Sequence, residues 1–138
     1  MKAAPDAVGD ESQICLTNAP SYCIKANGAG NQVSVTDVAA QKANFTVVYD
    51  SGGYHEWVDG NNNCLREGNS GIVKIENGSC NINDYLDVWL RDASTGNNVW
   101  HNYSTQDIMY ATGDVNGDNV FASGNPPSGS WTKWNAPT

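Results

Sequence analysis

The stretch "YCIKANGAGNQVSVT", residues 22–36, decides how this chain is read. It alternates apolar and polar residues on either side of a Gly/Asn-rich segment, the pattern of two strands joined by a tight turn. The pattern returns as "NCLREGNSGIVKIEN" at 63–77 and as "DIMYATGDVNGDNVFAS" at 107–123. Cys23, Cys64 and Ile108 align, spaced 41 and 44 residues apart, and Ile24, Leu65 and Met109 follow them. Beyond the turn, Val33 and Val35 correspond to Val73 and Ile75, and to Val120 and Ala122.

Working outward, Val48, Trp89 and Trp134 recur after these blocks, and Cys15, Trp57 and Trp100 before them. Blocks that repeat in one order at a fixed period mark a repeat architecture. Each unit supplies about four short strands with turns between. About twelve strands without a helix predict a closed all-β body, because closure removes unpaired sheet edges. The repeats, about 12–53, 54–96 and 97–138, form a single domain behind a flexible N-terminus at 1–11. The opening "MKAAPDAVGDESQ" lacks the apolar run of a signal peptide and reads as the start of a mature chain.

A net charge of −8 argues against a nucleic-acid backbone or an anionic membrane surface as partner, since both require a basic face. No apolar run approaches the length of a membrane span. Cys15, Cys23, Cys64 and Cys80 match no C-x-x-C metal or redox motif and read as two structural disulfides of a secreted protein. Pairing in sequence order, Cys15–Cys23 and Cys64–Cys80, is the simplest of the three connectivities. Each loop so closed contributes about 2.5–3 kcal/mol in the chain-entropy model.

The threefold pattern resembles the β-trefoil, and in detail the ricin-type (R-type) lectin domain, over residues 12–137. "CLREGNSGIVKIENGSC" is similar to that family's Cys-bracketed half-repeat. Its Q-x-W signature has degraded counterparts in Thr46-Val47-Val48, Asp87-Val88-Trp89 and Thr132-Lys133-Trp134. The resemblance implies a carbohydrate-binding module whose sugar is held by an Asp after the first cysteine of a repeat and a ring on the next strand. Here the Asp place holds Lys25, Arg66 and Tyr110, and the ring place Thr36, Glu76 and Ser123. The usual galactose recognition is therefore not expected in any repeat.

Other groups could substitute. In the third repeat Asp107, Tyr110, Asp114, Asp118, Asn119 and Phe121 share one hairpin, and this set is the expected ligand site: Tyr110 stacks while Asp114 or Asp118 accepts hydroxyl hydrogen bonds. The second-repeat residues Arg66, Glu67, Lys74 and Glu76 read either as exposed cross-strand ion pairs or as a set suited to an acidic or amino sugar. Asp114, Asn116 and Asp118 stand at the first, third and fifth places of a calcium loop, but Asn119 and Asn125 fall where that loop wants Gly and a bidentate carboxylate. The segment is read as a turn, with no metal and no cofactor. Trp57, Trp89, Trp100, Trp134 and Trp131 are read as core, which leaves Tyr54, Tyr85, Tyr103 and Tyr110 as exposed aromatic candidates. His55 and His101 lie in different repeats, and catalysis is not expected. The rival to sugar binding is a protein-binding trefoil, an inhibitor or a subunit of a larger exported assembly, with contact loops at 50–54, 92–98 and 125–130.

Overall fold

A computed structural model describes residues 11–51, 53–81, 83–92 and 98–138. Among them lie thirteen short strands and no α-helix. Strand β1 spans Glu11–Ser12, β2 Cys15–Leu16, β3 Ala19–Lys25, β4 Ser34–Thr36, β5 Phe45–Ser51, β6 Tyr54–Val58 and β7 Asn63–Glu67. They are followed by β8 Val73–Ser79, β9 Trp89–Arg91, β10 Trp100–Asn102, β11 Ile108–Ala111, β12 Val120–Ser123 and β13 Trp134–Asn135. No helix among the described residues is long and apolar enough to cross a membrane. The flexible start expected at 1–11 falls outside the described residues except for Glu11, which pairs with Thr46.

The three aligned stretches form the antiparallel hairpins β3–β4, β7–β8 and β11–β12. Single backbone bridges close them into a ring: Gln32 with Lys74, Ile72 with Phe121 and Ser34 with Asn119. At the centre, the Val33 amide donates to the Val73 carbonyl at 3.0 Å and the Val120 amide to the Val33 carbonyl at 3.1 Å. A longer antiparallel path, β1–β5–β6–β9–β10, runs beside the ring. The protein is a β-trefoil with pseudo-threefold symmetry.

Alternation explains which residues fill the interior, because successive side chains of a strand point to opposite faces. The aligned sets Ile24–Leu65–Met109, Val33–Val73–Val120 and Val35–Ile75–Ala122 all join one buried core. Trp57, Trp89, Trp100 and Trp134 join it too, and Trp131 packs against it. Buried indoles need a hydrogen-bond partner. Trp89 donates to the Leu65 carbonyl at 3.0 Å and Trp134 to the Met109 carbonyl at 3.0 Å, so the repeat extends to this bond. In the first repeat Val48 cannot donate, and the Ile24 carbonyl accepts from the Ala43 amide instead. Val48 also leaves the main core: a bulge between Val47 and Tyr49 turns it toward the Cys64–Cys80 disulfide, and Val47 takes the interior place. Both disulfides pair in sequence order, Cys15–Cys23 and Cys64–Cys80.

Candidate binding site

The six residues expected to bind ligand in the third repeat do not converge. Tyr110 and Phe121 are direct cross-strand partners with ring centroids 5.8 Å apart. Tyr110 is only 9% exposed and lies beside Phe121, which leaves little of its ring surface for the expected stacking on a sugar. Asp107, just before β11, is hydrogen-bonded to Glu67 of the second repeat. The other polar residues lie at the far end of the hairpin. Asp118 accepts the Val115 amide at 3.1 Å inside its own turn. The Asn119 backbone bridges to Ser34, and its side chain is exposed. Asp114 faces Tyr22, whose hydroxyl pKa is raised by burial and then by the charges of Asp37 and Asp114.

The "GDVNGDN" segment is a turn that fastens the third repeat to the first. The Gly117 amide donates to the Val35 carbonyl at 2.9 Å, and the Val35 amide to the Asp118 carbonyl at 2.9 Å. Asn116 closes the contact in both directions, donating to the Asp37 carboxylate at 2.8 Å and accepting from the Asp37 amide at 2.8 Å.

In the second repeat, Arg66 stands where the R-type pattern has its sugar-binding Asp. Its guanidinium Nη1 lies 2.6 Å from Asp84, 3.2 Å from Asp87 and 3.6 Å from Glu76. The main partners come from the segment after the hairpin, not from across it, because Asp84 caps the short 3-10 helix Tyr85–Asp87 and Asp87 ends it. Burial pushes the Asp87 carboxyl up to about 8, helped by its hydrogen bond to Glu76 and opposed by Arg66. The carboxyl oxygens of Glu76, Asp84 and Asp87 lie close enough together to hold a cation, and Arg66 is the cation they hold. Glu67 is not an exposed ion-pair residue either. It is 3% exposed, accepts the Thr105 hydroxyl at 2.6 Å, and its carboxyl is pushed up to about 7 by burial and by Asp107.

A half-open groove of about 450 Å³ lies above this hairpin, lined by Arg66, Glu67, the turn 68–71, Lys74, Leu86 and Thr105. On the other side of the 3-10 helix the chain brings three tyrosines together. Tyr103 stands between Tyr54 and Tyr85, with ring centroids 4.6 Å and 4.7 Å away. Tyr85 is 51% exposed, an unusual position for so large a ring. The cluster is held from behind: the Tyr103 amide donates to the Val88 carbonyl at 2.8 Å, and the Asn102 side chain to the Leu86 carbonyl at 2.9 Å. Tyr54, charged or hydrogen-bonded beside it, raises the pKa of the Tyr103 hydroxyl. The three phenols thus form a tilted aromatic surface edged with hydroxyl groups.

Each of these tyrosines is visible in the sequence as an exposed aromatic candidate, but their meeting is not. Tyr54 begins β6, Tyr85 sits in the 3-10 helix and Tyr103 follows β10. The histidines stay apart from the platform rings: His101 lies 2.8 Å from Asp92 and 2.9 Å from the Gln106 carbonyl, and His55 packs edge-on against Trp100. Of the expected protein-contact loops, 125–130 is well described and mostly exposed, whereas Gly52 and residues 93–97 fall outside the described residues.

No protein-family profile and no curated protein matches this sequence. Solved structures do match its shape. A GH43 β-1,3-galactosidase superposes with a TM-score of 0.73 at 12% identity, over 96% of this chain and 28% of that one. The designed threefold-symmetric protein ThreeFoil gives 0.70 at 14% identity, over 90% and 95%. A mosquitocidal holotoxin gives 0.71 at 15% identity, over 91% of this chain and 16% of the toxin. At such identities the likeness establishes the fold alone, and this chain spans about a quarter or less of the hydrolase and the toxin.

Proposed function

We propose that this protein is an exported, non-catalytic carbohydrate-binding module and that the Tyr54–Tyr103–Tyr85 surface receives the sugar. The observation that carries this reading is the convergence of three phenols, one of them half exposed, on one face. An aromatic ring covers the apolar face of a pyranose, and phenol hydroxyls at its edge exchange hydrogen bonds with sugar hydroxyls. The backing by Val88, Leu86 and Asn102 holds the rings in place before ligand arrives, which lowers the entropy cost of binding. Export is supported by the two disulfides, which persist in oxidising compartments.

A glycan array tests the reading. The wild-type protein is expected to retain a defined set of glycans, and Tyr85→Ala and Tyr103→Ala to lose them while melting like folded proteins. A blank array contradicts carbohydrate binding. A second reading, docking on a protein, is supported by the exposed, Pro- and Ser-rich loop at 125–130. A blank array together with a partner whose capture depends on that loop would favour it.

A further inference from the structure

The groove over the second-repeat turn has its own chemistry. Its charged lining residues are Arg66, Glu67 and Lys74. Two of the chain's seven Lys and Arg residues therefore face one recess of a protein whose net charge is −8. Arg66 is taken up by Asp84, Asp87 and Glu76, and Asp107 bonds Glu67. Among the described residues Lys74 makes no ion pair. Its stem lies across Gly68, where a Cβ would come within 2.7 Å of the Lys74 Cδ, so the bare glycine lets the lysine lie flat along the turn. The exposed Asn69 and Ser70 side chains stand on the same rim, and Leu86 gives one apolar wall. The volume, about 450 Å³, falls in the range of small-ligand sites.

We propose that this groove is a second binding site, which takes an acidic sugar by setting its carboxylate against Lys74 and its hydroxyls against Asn69, Ser70 and Thr105. Arg66, neutralised by its own carboxylates, shapes the floor. The ligand is acidic, not an amino sugar, because the unpaired charge of the lining is the Lys74 ammonium. Among the described residues of the lining the one carboxyl, Glu67, is buried against Thr105 and Asp107 and remains largely protonated below about pH 7. Above that pH Glu67 gains charge among Asp107, Arg66 and Lys74 and opposes an anionic ligand, so binding weakens as pH rises.

The test is an amide NMR titration of the full chain with methyl β-glucuronide and with the neutral methyl β-glucoside. Glucuronide is expected to move the amides of 69–74 and Thr105, with affinity falling several-fold from pH 6 to pH 8 and falling again as salt screens the pair. Lys74→Gln should abolish the response, Lys74→Arg should keep it, and Glu67→Gln should flatten its pH profile. Tyr85→Ala should leave it unchanged, so that failure of the tyrosine surface and failure of this groove are read separately. Equal shifts with the glucoside, shifts confined to other amides, or unaltered binding by Lys74→Gln would overturn the proposal.

Discussion

The turn at 113–119 reaches across to the first repeat, where Gly117 and Asn116 bond Val35 and Asp37, whereas the shorter equivalent turn at 68–71 lies against the third repeat at Ala122 and leaves a groove of about 450 Å³ beside it. Chain length sets the difference. Val120 follows Met109 by 11 positions, while Val73 follows Leu65 by 8. The long turn spends Asn116 on Asp37 of the first repeat and Asp118 on its own Val115 amide. The short one leaves Lys74 and Ser70 at the rim, and its Gly71 is pressed against the Ala122 carbonyl. Polar richness in a loop is thus a poor guide to ligand binding. The Asp/Asn-rich turn is a clasp, and the plainer turn borders the open site.

The contrast can be broken by mutation. The largest effect is expected at Arg66: Arg66→Met deprives the buried Asp87 and its neighbours Asp84 and Glu76 of their shared donor and should cost about 3 kcal/mol in urea unfolding, the upper end for buried polar groups left unsatisfied. The same region carries a pH dependence. Folding raises Asp87 to about 8 and Glu67 to about 7, so the folded state holds protons that the unfolded chain releases above about pH 4. The stability they contribute is fully present below the ordinary carboxylate range and is lost as pH rises through 7 and 8, so the melting temperature at pH 5 should exceed that at pH 8. No such fall would contradict the proton sharing between these carboxyls.

The glycines of the two turns sharpen the comparison. Gly71 has φ +72° and no room for a Cβ, so Gly71→Ala should cost about 3 kcal/mol, combining left-handed strain with a backbone collision. Gly117 has φ +93° with nothing within 4 Å, so Gly117→Ala should cost about 1 kcal/mol, from the strain alone. Equal losses would show that the short turn is not tightly seated. Asn116→Ala, which removes both bonds to Asp37, should cost about 1 kcal/mol. The smallest expected effect is that of calcium. If the segment is a clasp, calcium or a chelator should leave the melting temperature unchanged, where a site at a hundredfold excess over its Kd would add about 2.7 kcal/mol.

The fold was legible because the repeat places identical demands on residues far apart in sequence. Ile24, Leu65 and Met109 face one interior, and so do Val33, Val73 and Val120, so the aligned positions mark the core. Trp57, Trp89, Trp100 and Trp134 were legible for the same reason. Val48 was misplaced by one position, since a bulge shifts register without any mark in composition. The surroundings of the third-repeat residues were not legible, on another ground. Tyr110, Asp114 and Asp118 are neighbours along one hairpin, but the register that sets Phe121 directly across from Tyr110 is not written in their spacing, and capture of Asn116 by Asp37 is a tertiary event. The tyrosine surface escaped for the converse reason: Tyr54, Tyr85 and Tyr103 are distant in sequence, and only the packing of the 3-10 helix on the turn after β10 joins them.

A calorimetric titration of one array-selected neutral glycan against Tyr85→Ala and Asp114→Ala tests the central claim most directly, because it sets the tyrosine surface against the Asp/Asn-rich turn. Tyr85 is exposed, so its removal should leave the fold intact. The account predicts that Tyr85→Ala loses about 1 kcal/mol, roughly fivefold in Kd, while Asp114→Ala binds like the wild type. Unchanged affinity in Tyr85→Ala with loss of binding in Asp114→Ala would contradict it.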